Sequence, residues 1–124
     1  MYRVSVRRHF DAAHALRGYQ GKCENLHGHR WEVVVCVERR DLDDLGMALD
    51  FSLLKRELDA VLARYDHRNL NETPPFDAVN PSSENIARIV YQGLKQRLPQ
   101  ADLRYVEAWE SPDAWATYVE DRAC

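Results

Sequence analysis

No apolar run in the 124-residue chain approaches the ~20 residues that a helix needs to cross a bilayer, so a membrane-spanning helix is excluded. Charge of one sign is not in excess either. Seventeen Lys and Arg stand against 20 Asp and Glu, a formal net charge of −3, which argues against a nucleic-acid-binding surface. Three cysteines, an odd number, fit reduced thiols better than a disulfide framework. The opening run Met1-Tyr2-Arg3-Val4-Ser5-Val6-Arg7-Arg8 alternates like a strand and lacks the unbroken apolar stretch of a signal peptide, so the expected location is the cytoplasm. No repeat and no low-complexity segment is present.

What remains is ordinary in amount and informative in pattern. Hydrophobic residues make up 45% and charged residues 30%, the balance of a globular protein, and the length suits one domain over residues 1–124. Residues 2–10 read as a strand, with Val4, Val6 and Phe10 on one side and Arg3, Ser5, Arg7 and His9 on the other. Residues 11–25, with Gly18 and Gly21, read as a loop. Residues 27–39 carry the strongest strand signal, apolar on both faces around Trp31–Val37, as expected of a strand covered on both sides.

Asp50 reads as the N-cap of a helix bearing Leu54, Leu58, Val61, Leu62 and Tyr65. Asn80-Pro81-Ser82-Ser83-Glu84 opens a second helix, with Ile86, Ile89, Val90 and Leu94 as its stripe and Pro99 beyond its end. Strands near 103–110 and 114–121 flank the turn Ser111-Pro112-Asp113. The order ββααββ predicts an α+β fold with an antiparallel sheet.

His27-Gly28-His29 opens the central strand, and side chains two apart on a strand share a face. His14, just after the first strand, can return to the same point. Three neutral imidazoles suit zinc, and three protein ligands leave a fourth position open for substrate. A lone His-x-His is more often a scattered pair, but three of the five histidines flanking one Gly-containing loop favour metal.

Other residues keep several readings on spacing alone. Cys23 is a fourth ligand, a small buried hydrophobe, or a thiolate general base activated by a nearby cation. Cys36 differs in parity from His27 and His29, so it faces away and packs; Cys124 gets no role. Asp66-His67 is either a carboxylate-oriented acid–base pair or, more commonly for that spacing, a helix-end histidine beside a solvated aspartate. Glu110 is either a solvated strand end or a carboxylate that accepts paired N–H bonds from a guanidine-like edge.

The segments Phe10-Asp11-Ala12-Ala13-His14 and Cys23-Glu24-Asn25-Leu26-His27-Gly28-His29 together resemble the 6-pyruvoyltetrahydropterin synthase superfamily. Leu49-Asp50-Phe51, Asp66-His67-Arg68-Asn69-Leu70-Asn71, Asn80-Pro81-Ser82-Ser83-Glu84 and Trp109-Glu110-Ser111 continue that resemblance in order. The Cys-x3-His-Gly-His spacing is similar to the 6-carboxy-5,6,7,8-tetrahydropterin synthase branch of queuosine biosynthesis; the pyruvoyl branch usually has a longer gap.

The resemblance implies a tunnelling fold: a four-stranded antiparallel sheet with two helices on one face. It implies a trimeric barrel stacked into a homohexamer, and a lyase that acts on 7,8-dihydroneopterin triphosphate. Zn2+ would sit on His14, His27 and His29, bind the substrate's side-chain hydroxyls and acidify the carbon-bound proton. Cys23 would be the base and Asp66-His67 the second proton relay. Glu110 would hold the pterin's amino and ring N–H edge, with Ser82, Ser83 and Glu84 lining the pocket. Family members often carry Thr where Ser82 stands. Pyruvoyl-forming activity, a non-catalytic zinc- or pterin-binding module, and a closed structural zinc site on Cys23 are the rival expectations.

Overall fold

Alternation along the first thirteen strand residues puts Val6, Phe10, Ala12 and His14 on one face, and all four are buried. The computed structural model describes residues 1–21 and 24–122. In it β1 (Tyr2–His14) pairs antiparallel with β2 (His27–Arg39), from Tyr2↔Arg39 to His14↔His27. The strand therefore runs four residues beyond the expected end at residue 10, and the loop begins only after His14.

Asp11-Ala12-Ala13 are weak strand formers, but context overrides propensity here. Ala12 and Ala13 pair with His29 and Gly28 on one side and with Arg68 and Asn69 on the other. That second partner is β3 (Arg68–Asn69), a two-residue parallel strand followed by a 3₁₀ turn (Leu70–Glu72). The sheet thus has five strands where four were expected, in the order β3-β1-β2-β4-β5.

Helix α1 (Phe51–Leu62) starts where Asp50 accepts the Ser52 N–H at 2.9 Å, and it buries Leu54, Leu58, Val61 and Leu62. Helix α2 (Ser83–Arg97) is capped by Ser82, whose Oγ accepts the Asn85 N–H at 3.2 Å. It buries Ile86, Val90 and Leu94, while Ile89 is only partly covered. Gly93 lies where an added Cβ would meet Val61 Cγ1 at 3.2 Å, so its lack of a side chain lets the two helices approach.

Strands β4 (Asp102–Ser111) and β5 (Ala114–Tyr118) complete the sheet, the last ending three residues before the expected 121. Both helices cover the face that carries Val6, Phe10, Trp31, Val33, Val35, Val106 and Ala108, which form one core with the helix stripes. On the opposite face Cys36 lies between Ser5 and Tyr105 and is fully buried. Burial, reinforced by Cys36, pushes the Tyr105 phenol above its usual pKa. Among the described residues no helix is long and apolar enough to cross a membrane.

Candidate metal centre

The pairing of β1 with β2 builds the site. His14, expected just past the first strand, is its last residue and lies directly opposite His27. His29 is two residues further along β2 on the same face. The ring centroids are 4.6 Å apart for His14–His27, 5.2 Å for His14–His29 and 4.6 Å for His27–His29. Trp31 forms the floor, edge-on to His14 at 4.9 Å and stacked on Phe10 at 6.2 Å.

Backbone carbonyls fix which nitrogen of two rings carries the proton. His14 Nδ1 is 2.7 Å from the Pro81 carbonyl and His27 Nδ1 is 2.6 Å from the Asn25 carbonyl. A carbonyl only accepts, so each Nδ1–H donates and each neutral ring turns a bare Nε2 inward. Those two Nε2 atoms are 3.1 Å apart. Glu110 Oε1 is 3.2 Å from His14 Nε2, 3.1 Å from His29 Nε2 and 3.9 Å from His27 Nε2.

The bare Nε2 atoms of His14 and His27 thus face each other and the Glu110 carboxylate with no proton to share between them. Such a cluster calls for a cation. The His29 Nε2 atom is buried without a hydrogen-bond partner among the described residues; Glu110 is close enough but not aligned as one. Burial is the largest influence on His29 and lowers its pKa below the usual 6.5, against the opposing pull of Glu110, which keeps the ring neutral and fit to ligate. The donor set of three imidazoles and one carboxylate fits zinc.

Asparagines that the sequence marked only as part of motifs hold this arrangement. Asn71 accepts the Ala15 N–H at 2.8 Å and donates to the Ala15 carbonyl at 2.9 Å. Asn80 does the same for Arg17, at 2.9 Å both ways. Together they clamp the segment leaving His14 and place Pro81, whose carbonyl orients the His14 ring. Carbonyls orient ligands without any residue-type signal, so Pro81 and Asn25 could not be found from sequence.

Asp66 and His67 do not join the histidines. They form a separate group with Asp11, which has the opposite parity to His14 along β1. Asp66 Oδ1 accepts the Asp11 N–H at 3.0 Å and lies 3.0 Å from His67 Nδ1. The Asp11 amide, followed by His67, holds the Asp66 carboxyl below its usual range, so it stays ionised beside the imidazole. His67 adopts φ 58°, a left-handed conformation that a non-glycine residue rarely takes. Its amide then reaches the Asp11 carbonyl at 2.6 Å. An open cleft of about 500 Å³ is lined by both His29 and His67, so the two groups border common space.

Ser82, Ser83 and Glu84 form the cap and first turn of α2, directly after Pro81. Glu110, expected at the pterin, lies among the imidazoles. It keeps the parity of Val106 and Ala108 along β4, which is the face of the histidines, and lies where the pairing with β5 shifts register between Trp109 and Ser111. Cys23 lies outside the described residues.

An α+β sheet with two helices on one face and a three-histidine centre at the β1–β2 end defines the class. The family profile of 6-pyruvoyl tetrahydropterin synthase matches residues 3–121. A 6-carboxy-5,6,7,8-tetrahydropterin synthase of Synechocystis is 36% identical, across 91% of this chain and 89% of its own. A dihydroneopterin monophosphate aldolase of Pyrococcus furiosus is 37% identical, across 87% of this chain and 89% of its own. The 6-pyruvoyl tetrahydropterin synthase structure of Caenorhabditis elegans superimposes with a TM-score of 0.83 at 32% identity, covering 98% of each chain. The chain belongs to the 6-pyruvoyl tetrahydropterin synthase family.

Proposed function

We propose that the chain is a zinc-dependent lyase that converts 7,8-dihydroneopterin triphosphate to 6-carboxy-5,6,7,8-tetrahydropterin, acetaldehyde and triphosphate, within queuosine biosynthesis. The observation that carries the reading is the convergence of His14, His27, His29 and Glu110, with the bare Nε2 atoms of His14 and His27 turned toward one another. The relative from Synechocystis carries the same activity in its name. Zinc bound there supplies Lewis acidity, which acidifies the hydroxyls of the substrate side chain and the carbon-bound proton beside them.

The chain's own residues do the rest. His14, His27 and His29 hold the ion, and the Pro81 and Asn25 carbonyls keep two of the rings in the ligating tautomer. Cys23 takes the proton from carbon as a thiolate. Asp66 keeps His67 oriented and charge-stabilised for the second transfer. Glu110 accepts the amino and ring N–H edge of the pterin, and Ser82, Ser83 and Glu84 line its pocket.

A second reading is favoured by the Pyrococcus relative, whose name assigns an aldolase acting on dihydroneopterin monophosphate. Pyruvoyl formation is a third. Mass spectrometry of the products from dihydroneopterin triphosphate separates them. The expected products are the 6-carboxy pterin with acetaldehyde. A pterin bearing the pyruvoyl side chain, or no reaction with the triphosphate but cleavage of the monophosphate, contradicts the assignment.

We further propose a single domain over residues 1–124, located in the cytoplasm, that assembles as a homohexamer from two trimers. The sheet face away from the helices carries Trp109 and Trp115 stacked at 3.8 Å, with Trp115 half exposed, and β5 ends the sheet as an open edge. Aromatic exposure beside a free edge is what edge-to-edge assembly removes. Light scattering at micromolar concentration is expected to give a particle larger than a dimer; a stable monomer overturns the assembly.

A further inference from the structure

We infer that Glu110 is the fourth ligand of the resting metal and leaves it when a pterin claims the carboxylate. The inference rests on the metal reading above and adds a coordination change to it.

Zinc bonds of about 2.0–2.2 Å in a tetrahedron place neighbouring donor atoms about 3.3–3.6 Å apart. The separations here are 3.1 Å for His14 Nε2 to His27 Nε2, then 3.2, 3.1 and 3.9 Å from Glu110 Oε1 to His14, His29 and His27. These four separations, with all ligand atoms within 4.8 Å of one another, bring one carboxylate oxygen to coordination spacing beside the three imidazoles. The Glu110 side chain is about a quarter exposed, unlike His14, so it borders solvent where a ligand arrives.

Two further features fit a ligand that exchanges. Glu110 sits in the bulge of β4, outside the regular ladder, so its side chain is the least constrained of the four by strand pairing. The 3.9 Å gap to His27 also shows the looser side of the cluster. A pterin presents an amino N–H and a ring N–H side by side, and both carboxylate oxygens are needed to accept that pair. An oxygen shared with the metal is not free for it. Binding of the pterin edge thus withdraws Glu110 and opens the coordination position that the substrate's hydroxyls then fill. Recognition and opening of the metal become one event, so the resting protein keeps its ion four-coordinate and unreactive toward stray ligands.

Cobalt(II) in place of zinc reports this directly, through visible bands that depend on coordination number and donor type. Wild-type cobalt protein is expected to show the intense absorption of four-coordinate cobalt. Glu110→Gln, which removes the charge and keeps the volume, should change that spectrum and weaken cobalt binding at least about tenfold, since even an outer-shell change has such effects. Saturating neopterin should change the wild-type spectrum, with binding followed independently by pterin fluorescence.

If Glu110→Gln has the wild-type spectrum and affinity, Glu110 is not a ligand and the inference falls. If neopterin binds with the wild-type spectrum unchanged, the exchange falls, whether or not the variant folds. His29→Ala separates this from the underlying reading: cobalt held normally by that variant overturns the metal centre itself, and the inference with it.

Discussion

Replacing His14 by Ala is expected to strip the protein of its metal and of its turnover together. His14 is 1% exposed, packs with its ring centroid 4.6 and 5.2 Å from those of the other two imidazoles and has its proton fixed by the Pro81 carbonyl. With His14 gone, two imidazoles and the Glu110 carboxylate remain, and the broken tetrahedron holds the ion far more weakly, so zinc is lost during purification. His27→Ala and His29→Ala should behave alike. Elemental analysis of each purified variant reads the effect. Zinc content equal to wild type in all three would remove the histidines from the metal. His14→Ala also leaves a void beside Trp31, so His27→Ala, on a more open ring, separates loss of metal from loss of packing.

The second large effect belongs to Cys23. If it is the general base, Cys23→Ala should fold, keep its zinc and lose ~10²–10⁴-fold in turnover, the usual contribution of such a group. Cys23→Ser should be nearly as poor, because a hydroxyl does not ionise near neutral pH. A closed structural site predicts a different pattern, in which Cys23→Ala sheds zinc and stability in step. The Glu110 carboxylate lies 3.2 and 3.1 Å from the Nε2 atoms of His14 and His29, and with the ligand role inferred for it the centre reaches four donors without a thiolate. Zinc content and melting temperature of Cys23→Ala decide between the two.

The parts of the fold legible in the sequence are those with a strong local signal. Residues 27–39 form β2 as read, because a β-branched run flanked by polar ends has no competing helical pattern. Asp50 and Ser82 cap α1 and α2, since a side chain that accepts from the backbone two or three residues on is written in residue type. The last turns of β1 were not legible. Asp11, Ala12 and Ala13 are held as strand by partners on both sides, one of them the two-residue β3, too short to show any period.

The site divides in the same way. The three histidines were readable because parity on one strand and the antiparallel pairing of two consecutive strands bring them together. The place of Glu110 was not, since its parity with Val106 and Ala108 selects the right face but which strand lies beside β2 is a matter of tertiary pairing. The separation of Asp66-His67 from the histidines was equally hidden. It follows from the opposite facings of Asp11 and His14, three residues apart on one strand, and from the left-handed turn at His67. Within one chain the proposed relay and the metal centre border the same cleft from different sides, an arrangement that a substrate spanning the cleft would join.

The central claim is that His14, His27 and His29 hold a metal on which turnover depends. Its most direct test is to measure metal content and activity on the same wild-type sample before and after removal by a chelator. About one zinc per chain is expected at the start, with loss of turnover of dihydroneopterin triphosphate on removal and recovery on adding zinc back. Full turnover by a chain free of metal would contradict the account.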